Sequence, residues 1–244
     1  MRPEFVQLVE TIYREMCNLQ AGEDVLIITD SRTPHEVAST WMSQAMTKGA
    51  TATIITVPAP PPYPPGVITG PWPRALVDAA DSVDLIIDMS GVWDDFIGKA
   101  LSRGTRMLTA SWGWGGAELE DTLIRTMAHL DIHSLRREAD RLAELFTRAS
   151  TMYVTSESGT DLTVDLSGLR GEAHDGFLWD IQKKEWKTSY AILPPAQPGL
   201  WLPPGRCSGT LGVDAFLDPE ARIHDMRVQP ALFTVQNGRI ARVE

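Results

Sequence analysis

The stretch Asp24-Val25-Leu26-Ile27-Ile28-Thr29-Asp30 narrows the fold of this 244-residue chain more than any other. An unbroken apolar run of this kind, without in-and-out alternation, suits a strand covered on both faces, and such strands belong to parallel sheets flanked by helices. The neighbouring pattern agrees. Phe5, Leu8, Val9, Ile12, Met16 and Leu19 fall on one helical face, with Pro3 where a first turn tolerates it, and Ala21-Gly22-Glu23 ends that helix. Thr33-Pro34-His35-Glu36 has the form of a capping box, in which the Thr33 hydroxyl caps free amides and Glu36 reaches back. A helix through Val37, Trp41 and Ala45 follows and stops at Lys48-Gly49. Strands over 51–57, 83–89 and 106–110 then alternate with helices around 74–80 and 94–102. Parallel neighbours need crossovers and crossovers pack as helices, so the first half predicts a parallel, three-layer α/β domain.

After about residue 149 the pattern changes, which places a domain boundary near Ser150: an α/β domain over 1–149 and a β-rich domain over 150–244. A bridging amphipathic helix over 132–147 carries Leu135, Ala139, Leu142 and Phe146 on one face and charges on the other. Beyond it, 152–155, the alternating 161–166, 209–213, 228–235 and 239–243 read as strands, and Asn237-Gly238 is the strongest hairpin signal in the chain. The second domain is therefore expected to be mostly antiparallel β. The Pro-rich segment between Val57 and Pro73 has too few donors for helix or central strand and reads as an extended connector.

Composition removes several function classes. With 22 basic against 32 acidic side chains the formal charge is −10, which offers no footprint for nucleic acid or an anionic membrane. No apolar stretch approaches a membrane span, and the start of the chain lacks signal-peptide form, so a cytoplasmic protein is expected. Cys17 and Cys207 form no CxxC, which argues against a disulfide scaffold or a Cys-rich zinc module. Trp is over-represented, 8 against 6 Phe and 4 Tyr, either as core filler or as the lining of a site.

The common serine, zinc, dinucleotide and phosphate-loop motifs are missing. His129 and His133 have ligand spacing for one helical face, but Leu130-Asp131-Ile132 reads as a break that separates them. His174 stands in the polar, Gly-bracketed run Arg170-Gly171-Glu172-Ala173-His174-Asp175-Gly176, so Glu172, His174 and Asp175 are the candidate acid–base groups; a plain surface turn is the competing reading. His224-Asp225 reads as an exposed strand start. The loop Ser111-Trp112-Gly113-Trp114-Gly115-Gly116 follows a strand at the carboxyl edge, where open α/β sheets bind ligands. Trp112 and Trp114 either stack on a planar ring there or pack as ordinary core.

The chain resembles, over nearly its whole length, the thermophilic aminopeptidase family (the aminopeptidase T and S group), which includes a branch similar to the non-haem iron enzyme 2,5-dihydroxypyridine 5,6-dioxygenase. The residues that carry the resemblance are Ala21 to Asp30, the turn Gly159-Thr160-Asp161-Leu162, Ser208-Gly209-Thr210-Leu211-Gly212-Val213-Asp214 and Gln236-Asn237-Gly238-Arg239-Ile240. The resemblance implies a Rossmann-like first domain, a metal-site second domain, a small-molecule substrate, a dimer, and a divalent metal, with Fe(II) favoured over Zn or Co. In the aminopeptidases a Glu closing an Asn-Leu-Pro-led stretch ligates metal. The matching stretch here is Ile192-Leu193-Pro194-Pro195-Ala196-Gln197, so Ala196 or Gln197 occupies that place. A neutral amide coordinates divalent metal more weakly than a carboxylate, which tilts the expectation from peptidase toward ring cleavage. The family's remaining ligands lie beyond the hairpin that matches 234–243, so most of the metal ligands are expected outside this chain.

Two readings follow. In the first, the chain is a metal-dependent enzyme, with Glu172, His174 and Asp175 handling protons while Trp112, Trp114, Trp179 and Trp186 receive a ring substrate. In the second, it is a non-catalytic small-molecule binding or assembly protein that kept the fold without the metal site.

Overall fold

A computed structural model describes residues 2–59, 72–90, 95–110, 118–217, 224–227 and 229–244. In chain order the first elements are α1 (Pro3–Thr11), β1 (Asp24–Asp30), α2 (His35–Thr47), β2 (Thr51–Val57), α3 (Arg74–Ala80), β3 (Leu85–Asp88), α4 (Asp95–Ser102), β4 (Arg106–Thr109), α5 (Leu119–Leu123) and α6 (Ile132–Arg148). The strands that follow are β5 (Thr151–Thr155), β6 (Asp161–Asp165), β7 (Glu172–His174), β8 (Trp179–Asp180), β9 (Glu185–Trp186), β10 (Tyr190–Ile192), β11 (Gln197–Gly199), β12 (Cys207–Val213), β13 (Phe216–Leu217), β14 (His224–Asp225), β15 (Ala231–Gln236) and β16 (Arg239–Val243). The α1 and α5 helices each widen into a π-turn, at Ile12–Met16 and Ile124–Ala128.

Contacts group the chain into two compact units, Met1–Arg136 with His174–Ala196, and Arg137–Ala173 with Gln197–Glu244. In the first, β1 to β4 and β10 form a five-stranded sheet in the order β10-β4-β3-β1-β2, and each neighbouring pair is parallel. The apolar strand β1 is flanked on both sides by other strands, and every residue of it after Asp24 is buried. Alternate side chains feed two cores. Val25, Ile27, Ile87, Leu108 and Leu193 join Phe5, Tyr13, Trp41, Leu123 and Phe177 on one face; Leu26, Ile28, Ile86 and Met107 join Leu76, Phe96 and Ile97 on the other. Each such side chain adds about 1.5–3 kcal/mol by leaving water, which fixes the three-layer arrangement. The expected parallel α/β architecture is observed.

In the second unit β16-β15-β12-β6-β5 form an antiparallel sheet, again as the patterning implies. Asn237 (φ 51°) and Gly238 (φ 72°) supply the two left-handed residues of a tight turn between β15 and β16. Gly209 is in the left-handed region at φ 130°, and a side chain there would drive into the Asp161 carbonyl.

Three local expectations change. The capping box does not form: Pro34 occupies the cap position, and the Thr33 amide and hydroxyl donate instead to the Asp30 carboxylate, an acceptor that outcompetes the helix end. The strand expected from 228 begins at Ala231, because Pro230 has no amide to give the ladder. Tyr190–Ile192, read as part of the β-rich half, is the edge strand of the parallel sheet, with Ala191 opposite Leu108 of β4. The core of the Pro-rich connector, residues 60–71, lies outside the described residues.

Candidate functional site

The chain runs from β1 outward to β2 on one side of the sheet and returns to β3 on the other, so the carboxyl ends of β1 and β3 flank the point where strand order reverses. Ligands of open α/β sheets bind in that crevice. Two carboxylates close the strands there: Asp30 and Asp88, each 1% exposed. Ile28 pairs with Asp88, which puts Asp30 one pleat further on along the same face. Asp30 Oδ1 accepts from the amides of Arg32 (2.7 Å) and Thr33 (3.0 Å), while Oδ2 faces the Arg32 guanidinium at 3.1 Å. Asp88 Oδ1 accepts from the amide (2.9 Å) and hydroxyl (2.7 Å) of Ser90. Thr109, opposite Asp88 on β4, and Tyr190 on β10 extend this polar face. Burial pushes the Tyr190 phenol up, the Thr109 hydroxyl opposes that shift and the Asp88 charge adds to it. Sequence reading missed this pair of acids. The available signal was that both β1 and β3 are apolar runs closed by Asp.

The candidate acid–base residues separate. Glu172 and His174 are exposed, one strand repeat apart on β7, and the His174 carbonyl accepts from the Ala196 amide at 2.9 Å. Ala196 adopts φ 84°, a left-handed conformation unfavourable for alanine, just before Gln197, whose side chain is exposed. Asp175 is 3% exposed and fully engaged. Its Oδ2 lies 2.6 Å from Lys187 Nζ and 2.9 Å from Arg136 Nε, and its Oδ1 accepts from the Phe177 amide at 3.1 Å. Arg136 also pairs with Asp180 at 2.9 Å and stacks over the Phe177 ring at 4.9 Å. Asp175 thus ties Arg136 to the 174–187 segment within the first unit.

Trp179 and Trp186 face each other across the β8–β9 hairpin, edge to face at 4.8 Å. The Arg106 guanidinium covers Trp186 at 4.3 Å and is itself tied to Glu23 (2.5 Å) and the Cys17 carbonyl (3.1 Å). Arg106 begins β4, so these two indoles belong to the amino end of that strand, whereas Trp112 and Trp114 follow its carboxyl end in sequence. The loop 111–117 that contains Trp112 and Trp114 lies outside the described residues. His129 ends the π-turn and His133 opens α6, the break read from sequence; His133 Nε2 lies 2.8 Å from Glu15. His224 pairs through β14 with Leu217 of β13.

Among the described residues no three His, Cys, Asp or Glu side chains gather into a set able to hold a metal ion, so these residues do not by themselves fit Fe(II), Zn or Co. Among the described residues, too, no helix is long and apolar enough to cross a membrane.

A sequence model of 2,5-dihydroxypyridine 5,6-dioxygenase (NicX) matches residues 4–188. Of solved structures, the 2,5-dihydroxypyridine dioxygenase of Pseudomonas putida KT2440 is similar at TM-score 0.68 and 17% identity, over 98% of this chain and 67% of that one. AmpT of Thermus thermophilus is similar at TM-score 0.63 and 15% identity, over 99% of this chain and 71% of that one. At these identities the two structures establish a shared fold. No curated protein sequence matches the chain.

Proposed function

The chain belongs to the 2,5-dihydroxypyridine 5,6-dioxygenase family, and from that membership we propose that it serves the metal-dependent opening of a hydroxylated aromatic or heteroaromatic ring. The observation that carries this reading is the match over residues 4–188, which takes in β1 to β4, the acids at their carboxyl ends and the His174 segment. The substrate is a small planar molecule. Iron is the cofactor this chemistry class uses, but the described residues do not assemble its ligands, and no step through a metal is assigned.

What this chain contributes is its own polar groups. His174 is exposed and positioned by a backbone hydrogen bond, so its imidazole is available to take a proton from a ring hydroxyl. Glu172, exposed two residues before it on β7, is the second candidate acid–base group. Trp112 and Trp114, beyond the end of β4, offer ring faces for stacking. Asp175 holds the segment that presents His174.

The test is to incubate the purified protein with 2,5-dihydroxypyridine, Fe(II) and air while following ring absorbance and oxygen uptake together. Ring loss that needs both iron and oxygen, and that falls at least tenfold in a folded His174→Ala variant, supports the reading. An unchanged ring overturns it, and cleavage of leucine p-nitroanilide in a parallel assay would move the chain to the peptidase branch.

A further inference from the structure

Among the described residues four other than glycine have a positive φ: Asn18, Lys184, Ala196 and Asn237. Three of them have a local reason. Asparagine tolerates the left-handed region, and Lys184 stands in the tight turn between β8 and β9, where its amide donates to the Asp180 carbonyl. Ala196 has no such reason, and at φ 84° it lies past the usual left-handed range.

The sequence explains why the turn falls there. In Pro194-Pro195-Ala196-Gln197-Pro198 the rings fix φ at Pro194 and Pro195, and a following proline holds both Pro194 and Gln197 extended, the latter as the first residue of β11. Only Ala196 is left to redirect the chain. The left-handed turn delivers one hydrogen bond, from the Ala196 amide to the His174 carbonyl at 2.9 Å. The facing backbone is equally constrained. Gly176 is left-handed at φ 79°, and a Cβ there would lie 2.6 Å from Met16 Cε and 2.9 Å from Pro195 Cβ, so the two segments pass at close range on either side of this bond. Backbone strain of this kind persists only where its surroundings impose it, and it concentrates where geometry serves function.

We propose that Ala196 is a positioning residue for His174. β7 sets the backbone on the amino side of His174, and the bond from Ala196 sets the plane of the peptide that follows it, so that the imidazole is presented in one direction. Asp175, anchored on Lys187 and Arg136, holds the next residue and leaves that peptide no other partner to turn toward. The inference rests on the reading of His174 as the group that takes a proton from a ring hydroxyl.

The experiment compares Ala196→Val and Ala196→Gly with the wild type, each verified as folded by circular dichroism. A β-branched residue is a poor fit to positive φ, whereas glycine adopts it freely. The residue-196 amide is expected to be protected from hydrogen exchange in the wild type and in Ala196→Gly, and to exchange at least tenfold faster in Ala196→Val, where the His174 ring-proton resonance also shifts. In the ring-opening assay Ala196→Val is expected to lose about tenfold in kcat with KM within about twofold, and Ala196→Gly to match the wild type. Ala196→Leu, bulky but unbranched, is the milder form of the same test should the valine variant not fold. A folded valine or leucine variant with an unchanged His174 resonance, or one that keeps its kcat while the wild type is active, overturns the proposal, as does a glycine variant as impaired as valine. A wild type that leaves the ring intact overturns the reading of His174 instead, and exchange and the His174 resonance then judge the positioning alone.

Discussion

The guanidinium carbon of Arg106 lies 4.3 Å from the centre of the Trp186 ring, at the start of β4. The buried cation is held on its other sides by Glu23 and the Cys17 carbonyl, so the exposed indole serves as its lid. Trp186→Ala removes this contact and the edge-to-face contact with Trp179, and is expected to cost about 1–2 kcal/mol. Arg106→Met strands the partly buried Glu23 carboxylate and is expected to cost about 3 kcal/mol. Urea unfolding of both variants checks the order: if Trp186→Ala costs more than Arg106→Met, the pair is misread.

The buried Asp175 carboxylate neutralises the exposed Lys187 and part of the half-buried Arg136. Asp175→Asn is expected to lower stability by about 3 kcal/mol, because two cations lose a buried partner, although Arg136 keeps Asp180. A general acid or base would behave differently, losing turnover at full stability. Parallel denaturation and turnover measurements on the variant separate the two roles.

Acid sensitivity should be traceable to Asp180. The Lys183 amide, then Arg136 and the Gln182 amide, hold its carboxyl below the usual range against the opposing effect of burial. A carboxyl depressed in the folded state stabilises the fold above its unfolded value of about 3.9, and that contribution drains away as pH falls from there through the lower folded value. Wild-type stability is therefore expected to drop below about pH 4, and Asp180→Asn to show a shallower decline over the same window. Identical slopes in urea titrations at successive pH values would remove Asp180 from the account.

Burial pushes the Cys17 thiol up to about 12, a shift that Arg106 moderates and Glu23 reinforces. At pH 8 essentially no thiolate forms there, whereas Cys207 is only partly covered. One thiol per folded chain should react with Ellman's reagent, and two after denaturation. Two in the native state would contradict the packing around α1.

Much of the architecture was legible because it is written locally. The runs at β1 and β2, the Asn237-Gly238 turn and the amphipathic α6 all state their conformation within a few residues. β10 was not legible: three residues, Tyr-Ala-Ile, carry no strand signal of their own and are ordered by a partner, β4, far back in the chain. The same applies to the site. His174 and Glu172 stand out by composition, but the engagement of Asp175 depends on Arg136 and Lys187, and the position of Trp186 depends on Arg106. None of these cations neighbours its partner in sequence. The acids closing β1 and β3 were visible as a repeated ending and gained meaning only once the strand order placed them side by side.

The parallel sheet takes its last strand from residues made well after its first four. During synthesis β4 emerges as a raw edge, and Phe177, Leu178 and Leu193, all buried in the finished core, are still to come. The second unit's α6 segment and first two strands are translated in that interval. The first unit is thus closed retroactively, by a stretch that exits the ribosome late, and a chain cut within α6 would present a half-built sheet to the cell's quality control.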